Sequence, residues 1–321
     1  MTMRVKFWGT RGSLPVAQTG ATTRQKIAKA LVAAAGNTMR DEEAAFRFID
    51  THLDFATGQG YGGASSCVEI DRGHGSFFVC DMGSGLREFG LDAQKRYETG
   101  RARHYNVFLS HLHWDHIMGF PFFVAGFDSQ ASITIYSGHA DAETALRRQQ
   151  EEISFPVSFD WLQAKFSFVT MEPSQVYDVE GIKVETICQY HSHDSYGFAF
   201  DDGSARVVYS TDSEHKIENP ADREAFEAFF GDADLVICDT MYSLAESITL
   251  KADWGHSSNI IAVDLCRAAR AKRLALFHHE PTYSDDAILR MHVETLRYEE
   301  LTRGDAALEV ICSYDGLVVE V

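Results

Sequence analysis

The stretch HLHWDH, residues 111–116, places four metal-capable side chains in six positions: His111, His113, Asp115 and His116. It follows the apolar run VFLS (107–110), which reads as the end of a strand. Beyond a strand the chain is a loop, and alternate side chains can converge on one point. His111 and His113 are therefore suited to share one ion through imidazole nitrogens, while Asp115 and His116 point elsewhere and begin a second ion site. The plain alternative is a solvated, histidine-rich turn, for which four ligand types in six residues would be a poor choice.

Working outward, four other apolar runs end in the same way. FFVC ends at Asp81, VVYST at Asp212, LVIC at Asp239 and LALF at His278. One acidic residue at a strand end is usually a turn cap. Five such endings in one chain indicate a site, because ligands collect at the carboxyl ends of strands in α/β sheets.

The remaining chain reads as one α/β domain spanning residues 1–321. Strands are expected at Met3–Trp8, Ile133–Tyr136, Ile182–Ile187, Arg206–Ser210, Leu235–Cys238 and Leu274–Phe277, with a hairpin from Cys67–Ile70 to Phe77–Cys80 around DRGHG. Helices are expected at Ala142–Ile153, Ala221–Phe230, Asn259–Ala271 and Asp285–Thr302. The carboxyl end, LEVICSYDGLVVEV, reads as a hairpin turning at Asp315–Gly316. Residues 21–57 read as a helical hairpin inserted between two strands, with Phe46, Ile49 and Leu53 on one face of its second helix.

Composition narrows the functional classes. The 321 residues carry 29 Lys and Arg against 47 Asp and Glu, a net charge of −18. That field repels polyanions at long range and disfavours nucleic acid and anionic membrane as partners, while leaving open a small anion at a local cationic site. No apolar run reaches the roughly 18 residues of a membrane span, and MTMRVKFWGTRGS lacks the apolar core of a signal peptide. The six scattered cysteines read as reduced, buried thiols of a cytoplasmic protein.

Taken in order, FWGTRGS (7–13), YGGASSC (61–67), CDMGSG (80–85), HLHWDHIMGFPFF (111–123), HSHDSYGF (191–198), YSTDSE (209–214), GHSS (255–258) and LFHHEP (276–281) resemble the metallo-β-lactamase-fold hydrolase superfamily, within it the ribonuclease Z-like phosphodiesterases. The resemblance implies an αββα sandwich with its site along one edge of two sheets. It implies His111, His113 and His191 on a first metal ion, and Asp115, His116 and His278 on a second. Asp212 would bridge the two, and Asp81 would steady a ligating imidazole. Imidazole and carboxylate ligands without thiolate suit two Zn²⁺ ions, with Mn²⁺ or Fe²⁺ as alternatives. His193 and His279 compete with His191 and His278, but motif register favours the latter pair. His52, His74, His104, His139 and His292 lie outside any cluster and read as plain histidines.

The implied chemistry is hydrolysis. Two cations would lower the pKa of a shared water to give the nucleophile, with no serine or cysteine needed. Asp239 pairs with His256, which then serves as general acid; Asp115 completes the catalytic set. The leading substrate is a small phosphodiester or a nucleotide, cyclic ones included. The alternatives are tRNA 3′-end processing, for which no basic arm is visible, hydrolysis of an ester, thioester or lactone, and a metal-dependent binding or sensor module. The insertion is read as a lid, a homodimer contact, or a hairpin packed on the outside. Ala64 stands where the family often has an amide, and His193 and Asp194 replace smaller residues. Tyr196, Phe120, Phe122, Phe123 and Phe198 are candidates for the pocket lining, with ordinary core the better reading for most.

Overall fold

The computed structural model describes residues 3–249, 254–304 and 306–321. Fourteen strands among them form two seven-stranded sheets. The first is built from β1 (Arg4–Gly9), β2 (Cys67–Asp71), β3 (Phe77–Cys80), β4 (His104–Leu109), β5 (Ser132–Ser137), β6 (Lys165–Thr170) and β14 (Val318–Glu320), in the order β14-β1-β2-β3-β4-β5-β6. The second is built from β7 (Val176–Val179), β8 (Ile182–Gln189), β9 (Ser195–Asp201), β10 (Arg206–Ser210), β11 (Leu235–Asp239), β12 (Arg273–Phe277) and β13 (Glu309–Cys312), in the order β13-β12-β11-β10-β9-β8-β7.

Helices α1 (Gly20–Ala33), α2 (Glu42–His52) and α3 (Phe55–Gly58) lie between β1 and β2, and α4 (Leu86–Arg96) follows β3. Next come α5 (Trp114–Ile117) after β4, α6 (Ala142–Gln149) after β5 and α7 (Pro220–Phe229) after β10. The last three are α8 (Leu244–Thr249) and α9 (Asn259–Ala268) after β11, and α10 (Asp285–Thr302) after β12.

The apolar strand runs are explained by burial on both faces. Alternate residues divide between layers. Phe78 and Cys80 of β3, Phe108 of β4, Val207 and Tyr209 of β10 and Phe277 of β12 fill the space between the sheets. Phe77 and Val79, with Val107 and Leu109, pack outward with Leu86 and Phe89 of α4. Val208, Cys238, Leu274 and Leu276 pack outward with residues of α7, α9 and α10. The result is helix, sheet, sheet, helix: the αββα sandwich expected.

Four readings are corrected. The carboxyl end is not a hairpin: β13 joins β12 in the second sheet, and β14 joins β1 in the first. The Asp315 carboxylate finds its donors outside its own turn, in the amides of Gly63 and Ala64 and the hydroxyl of Thr10, and this holds the connection open between the two sheets. In α2 the buried residue is Phe48, stacked on His52, whereas Phe46 is 61% exposed. The helix turns Ile49 towards Gly58 of α3, which rotates Phe46 outward. α6 stops at Gln149, short of Ile153, which is 94% exposed. Cys188 is exposed, unlike the other five cysteines, and all six are free thiols. Among the described residues no helix is long and apolar enough to cross a membrane.

Helix α1 has no buried residue and is held to α10 by charge. Lys26 pairs with Asp285 at 2.5 Å and Lys29 with Asp286 at 2.9 Å. Asp285 also receives the Tyr61 amide and faces the buried guanidinium of Arg11 at 3.6 Å.

Phe108 touches the rings of Phe78, Tyr136, Phe198 and Phe200 and so joins the two sheets. Phe108→Ala is expected to lower unfolding free energy by about 3–5 kcal/mol in urea titrations. A loss below about 1 kcal/mol would mean that the sheets do not pack through it.

Candidate metal centre

The strand ends deliver their side chains to one rim. β3 hands over to Asp81, β4 to His111, β10 to Asp212, β11 to Asp239 and β12 to His278; His191 sits in the turn between β8 and β9. Asp81, Asp212 and His278 have φ values of 60°, 48° and 62°. These left-handed turns cost a non-glycine residue on the order of 1 kcal/mol each and are kept where the surroundings enforce them, typically at functional sites.

The side chains fall into two groups that meet at Asp212. On one side, His116 Nε2 lies 3.1 Å from Asp115 Oδ2, 3.1 Å from Asp212 Oδ2 and 3.3 Å from His278 Nε2. His278 Nε2 lies 3.2 Å from the same Asp212 oxygen and 3.3 Å from Asp115 Oδ2. On the other side, His191 Nε2 lies 3.1 Å from His113 Nδ1. The second Asp212 oxygen, Oδ1, lies 3.7 Å from His111 Nε2 and 3.8 Å from His191 Nε2. Donor atoms of His111, His113 and His191 form one cluster, and those of Asp115, His116, Asp212 and His278 another.

This arrangement fits divalent cations. Ligand bonds of about 2.0–2.1 Å in a tetrahedron put neighbouring donor atoms roughly 3.3 Å apart, and the imidazole and carboxylate contacts of 3.1–3.3 Å match that edge. His111 Nε2 is buried without a hydrogen-bond partner. Protonation agrees as well. Burial pushes His111, and less strongly His113 and His191, below the ordinary imidazole range, so their lone pairs are free. Burial alone would raise Asp115 and Asp212; the facing imidazoles outweigh it and hold both carboxyls well below the usual range. Burial would likewise lower His116, but Asp115, Asp212 and Asp81 overcome it and keep a proton there. The carboxylates that hold that proton supply the charge that would hold a cation instead.

Supporting contacts fix the rings. One Asp81 carboxylate takes the Ser110 amide and hydroxyl, both at 2.8 Å, His116 Nδ1 at 2.7 Å and the Tyr209 hydroxyl at 2.6 Å. That uses the full acceptor capacity of a carboxylate and orients His116. His191 Nδ1 donates to the Gly255 carbonyl at 2.9 Å. Gly255 has φ +78°, and a Cβ there would lie 2.3 Å from the His191 ring. The Ser13 amide donates to Asp115 Oδ2 at 2.8 Å, and a Cβ on Gly12 would meet the His278 ring at 2.6 Å. Sequence reasoning gave no role to Ser110, Tyr209, Gly255, Gly12, Ser13 or Arg11. Arg11 donates to the carbonyls of Gly62, Glu280 and Tyr283 and so anchors this loop. Their signal was present in the quoted motifs, but the contacts are long-range.

Beside the cluster, His256 Nδ1 lies 2.7 Å from Asp239 Oδ2, and its ring stacks on His278 with centroids 5.2 Å apart. Burial works against charge on His256, yet Asp239 outweighs it and pushes the imidazole up to about 9. Ser258, not His256, caps α9. His279 turns away: its Nε2 bonds the Ser313 carbonyl at 2.8 Å, and burial pushes it down to about 3. His193 is exposed and joins neither cluster. Phe120, Phe123 and Phe198 are core, Tyr196 is half-buried, and Phe122 is 55% exposed. His139, read as plain, instead lines a cavity beside His111 and His113.

A family model described as a β-lactamase superfamily domain matches residues 78–279, which carry all seven clustered ligands. The chain belongs to the β-lactamase superfamily. Its two flanked sheets are the metallo-β-lactamase fold. Ribonuclease Z of Lacticaseibacillus casei is 26% identical over 226 residues, covering 55% of this chain and 68% of that protein. Among solved structures, the metallo-β-lactamase fold protein YhfI from Bacillus subtilis aligns over 100% of both chains, with a TM-score of 0.64 and 19% identity. The short form of human tRNase Z aligns over 98% of both, with a TM-score of 0.57 and 18% identity. These two likenesses establish the fold alone.

The His256–Asp239 pair has a pH signature in the chelator-treated protein. A folded-state value raised to about 9 from 6.5 stabilises the fold fully below about pH 6.5 and ceases to do so as pH rises through about 9. The stability difference between wild type and His256→Gln, measured by urea unfolding, should therefore reach about 3 kcal/mol at pH 6 and shrink towards pH 9.5. A difference that is flat or grows with pH would contradict the pairing.

Proposed function

We propose that the protein is a dinuclear metal-dependent hydrolase acting on a small phosphodiester or a nucleotide, cyclic nucleotides included. The observation that carries this reading is Asp212, whose two oxygens face two different imidazole groups. His111, His113 and His191 would hold one ion, Asp115, His116 and His278 the other, and Asp212 both. Zn²⁺ suits these ligands best, with Mn²⁺ and Fe²⁺ as alternatives. When bound, such a pair lowers the pKa of water and offers positive charge to a phosphoryl oxygen.

The chain's own residues supply the rest. Asp239 engages His256 Nδ1, which leaves Nε2 to carry a proton towards the leaving oxygen. Asp81 fixes the ring of His116 and thereby the geometry of the second group. Two dications against Asp115 and Asp212 leave the centre locally cationic, so a small anion is attracted despite the surface charge of −18. The relatives named ribonuclease Z favour a second reading, a nuclease on RNA. The net acidity weighs against a long polyanion, and a test on tRNA precursors separates the two. The sandwich with its three inserted helices is read as a single domain.

Asp212→Ala should cost the protein most of both ions, measured by metal analysis after dialysis. Two ions retained per chain would remove the bridging role. His256→Ala should keep its metal while turnover of phosphodiesters with poor leaving groups falls about 10²–10⁴-fold, and activated aryl esters suffer less. Equal losses on both substrate types would exclude the general acid.

A further inference from the structure

A cavity of about 350 Å³ adjoins the site at His111 and His113 and is walled by Leu112, His139, Asp141, Ser192, His193 and Asp194. Its walls come from different sheets. The end of β5 brings His139 and Asp141, and the turn between β8 and β9 brings Ser192, His193 and Asp194. They are braced against each other. The His139 ring meets Tyr196 edge to face, with centroids 5.1 Å apart, and its Nε2 is buried without a hydrogen-bond partner. The Tyr196 amide donates to the Ser110 carbonyl at 3.0 Å, tying this wall to the strand end that carries His111.

The polar groups of this cavity are not spent on the fold. Asp141 stands at the N-cap of α6, yet its side chain makes no capping hydrogen bond. Asp141, Ser192 and His193 are all exposed. A carboxylate only accepts hydrogen bonds, whereas a serine hydroxyl and an imidazole can do either. Asp141 and Asp194 repel a second anionic group next to the one the cations would hold. They complement hydroxyl donors, and two neighbouring hydroxyls match the two oxygens of one carboxylate. An acidic side chain on a ribose hydroxyl is the same device that dinucleotide folds use.

We infer that this cavity is a subsite for the vicinal diol of a sugar attached to the scissile phosphodiester, with Asp141 as the principal acceptor and His193 as a second contact. The inference rests on the phosphodiesterase reading above and narrows it to acyclic nucleotide esters, because a cyclic nucleotide has no free vicinal diol. It makes the enzyme selective for ribosyl substrates over deoxyribosyl ones and over substrates with a further phosphate at that position.

The test uses the metal-loaded full chain and three substrates: the p-nitrophenyl ester of a ribonucleoside 5′-phosphate, its 2′,3′-dideoxy counterpart, and bis(p-nitrophenyl) phosphate, which has no sugar. Wild type is expected to favour the ribo substrate over the dideoxy one at least tenfold in kcat/KM, chiefly through KM. Asp141→Ala should remove most of that preference and leave bis(p-nitrophenyl) phosphate within twofold; Asp141→Asn, which keeps an acceptor, should restore part of it. His193→Ala should give a smaller loss of the same kind. Equal rates on ribo and dideoxy substrates, or an Asp141→Ala loss shared by all three, would overturn the subsite while leaving the phosphodiesterase reading intact. No turnover of any of the three would overturn both.

Discussion

The Asp212 carboxylate lies buried between four imidazoles, with Oδ2 facing His116 and His278 and Oδ1 facing His111 and His191. An anion in that position is untenable in an apolar interior unless positive charge sits on both sides of it. The imidazoles alone answer this only in part, because burial keeps His111 and His191 neutral. Two divalent cations would answer it in full. Much of the surrounding structure then serves to keep six other donor atoms within reach of the same two points.

That service is costly and spread over the whole chain. Three strand-end residues, Asp81, Asp212 and His278, are held in left-handed conformations. Asp81 is saturated by Ser110, His116 and Tyr209, and Asp115 is held by the Ser13 amide. The loop carrying Gly12 and Ser13 is anchored by Arg11 to the start of α10, where Asp285 also takes Lys26 of the inserted helix α1. The insertion is thus tied through two ion-pairing steps to Arg11, two residues before the Ser13 amide that holds Asp115. The apolar side chains of Ile27, Leu31 and Val32 on α1 are exposed.

Much of this was legible in the sequence because it is local. HLHWDH, the strand-end residues and the ordered motifs each lie within a few positions, and the apolar runs alternate between two buried faces. What was not legible depends on distant partners. The carboxyl end has a hairpin's pattern, but its two strands complete different sheets, and only the donors of the YGG loop reveal why Asp315 lies there. Phe46 and Phe48 are equally apolar, and which one is buried depends on α3. His139 belongs to no cluster along the chain, yet β5 ends beside β4 and places it next to His111. His278 and His279 are separated by the backbone geometry of one residue: a φ of 62° turns the first into the site, and the second bonds Ser313.

The acidity of the chain acquires a definite meaning in this setting. A net charge of −18 and a cationic centre are compatible because the positive charge would come from ions held by neutral imidazoles and two carboxylates. The most direct test of the central claim is a crystal grown with Zn²⁺ and recorded at the zinc absorption edge. Two anomalous peaks are predicted, one among His111, His113 and His191 and the other among Asp115, His116 and His278, with one oxygen of Asp212 about 2.0–2.2 Å from each. A single peak, or two peaks of which Asp212 touches only one, would contradict the account.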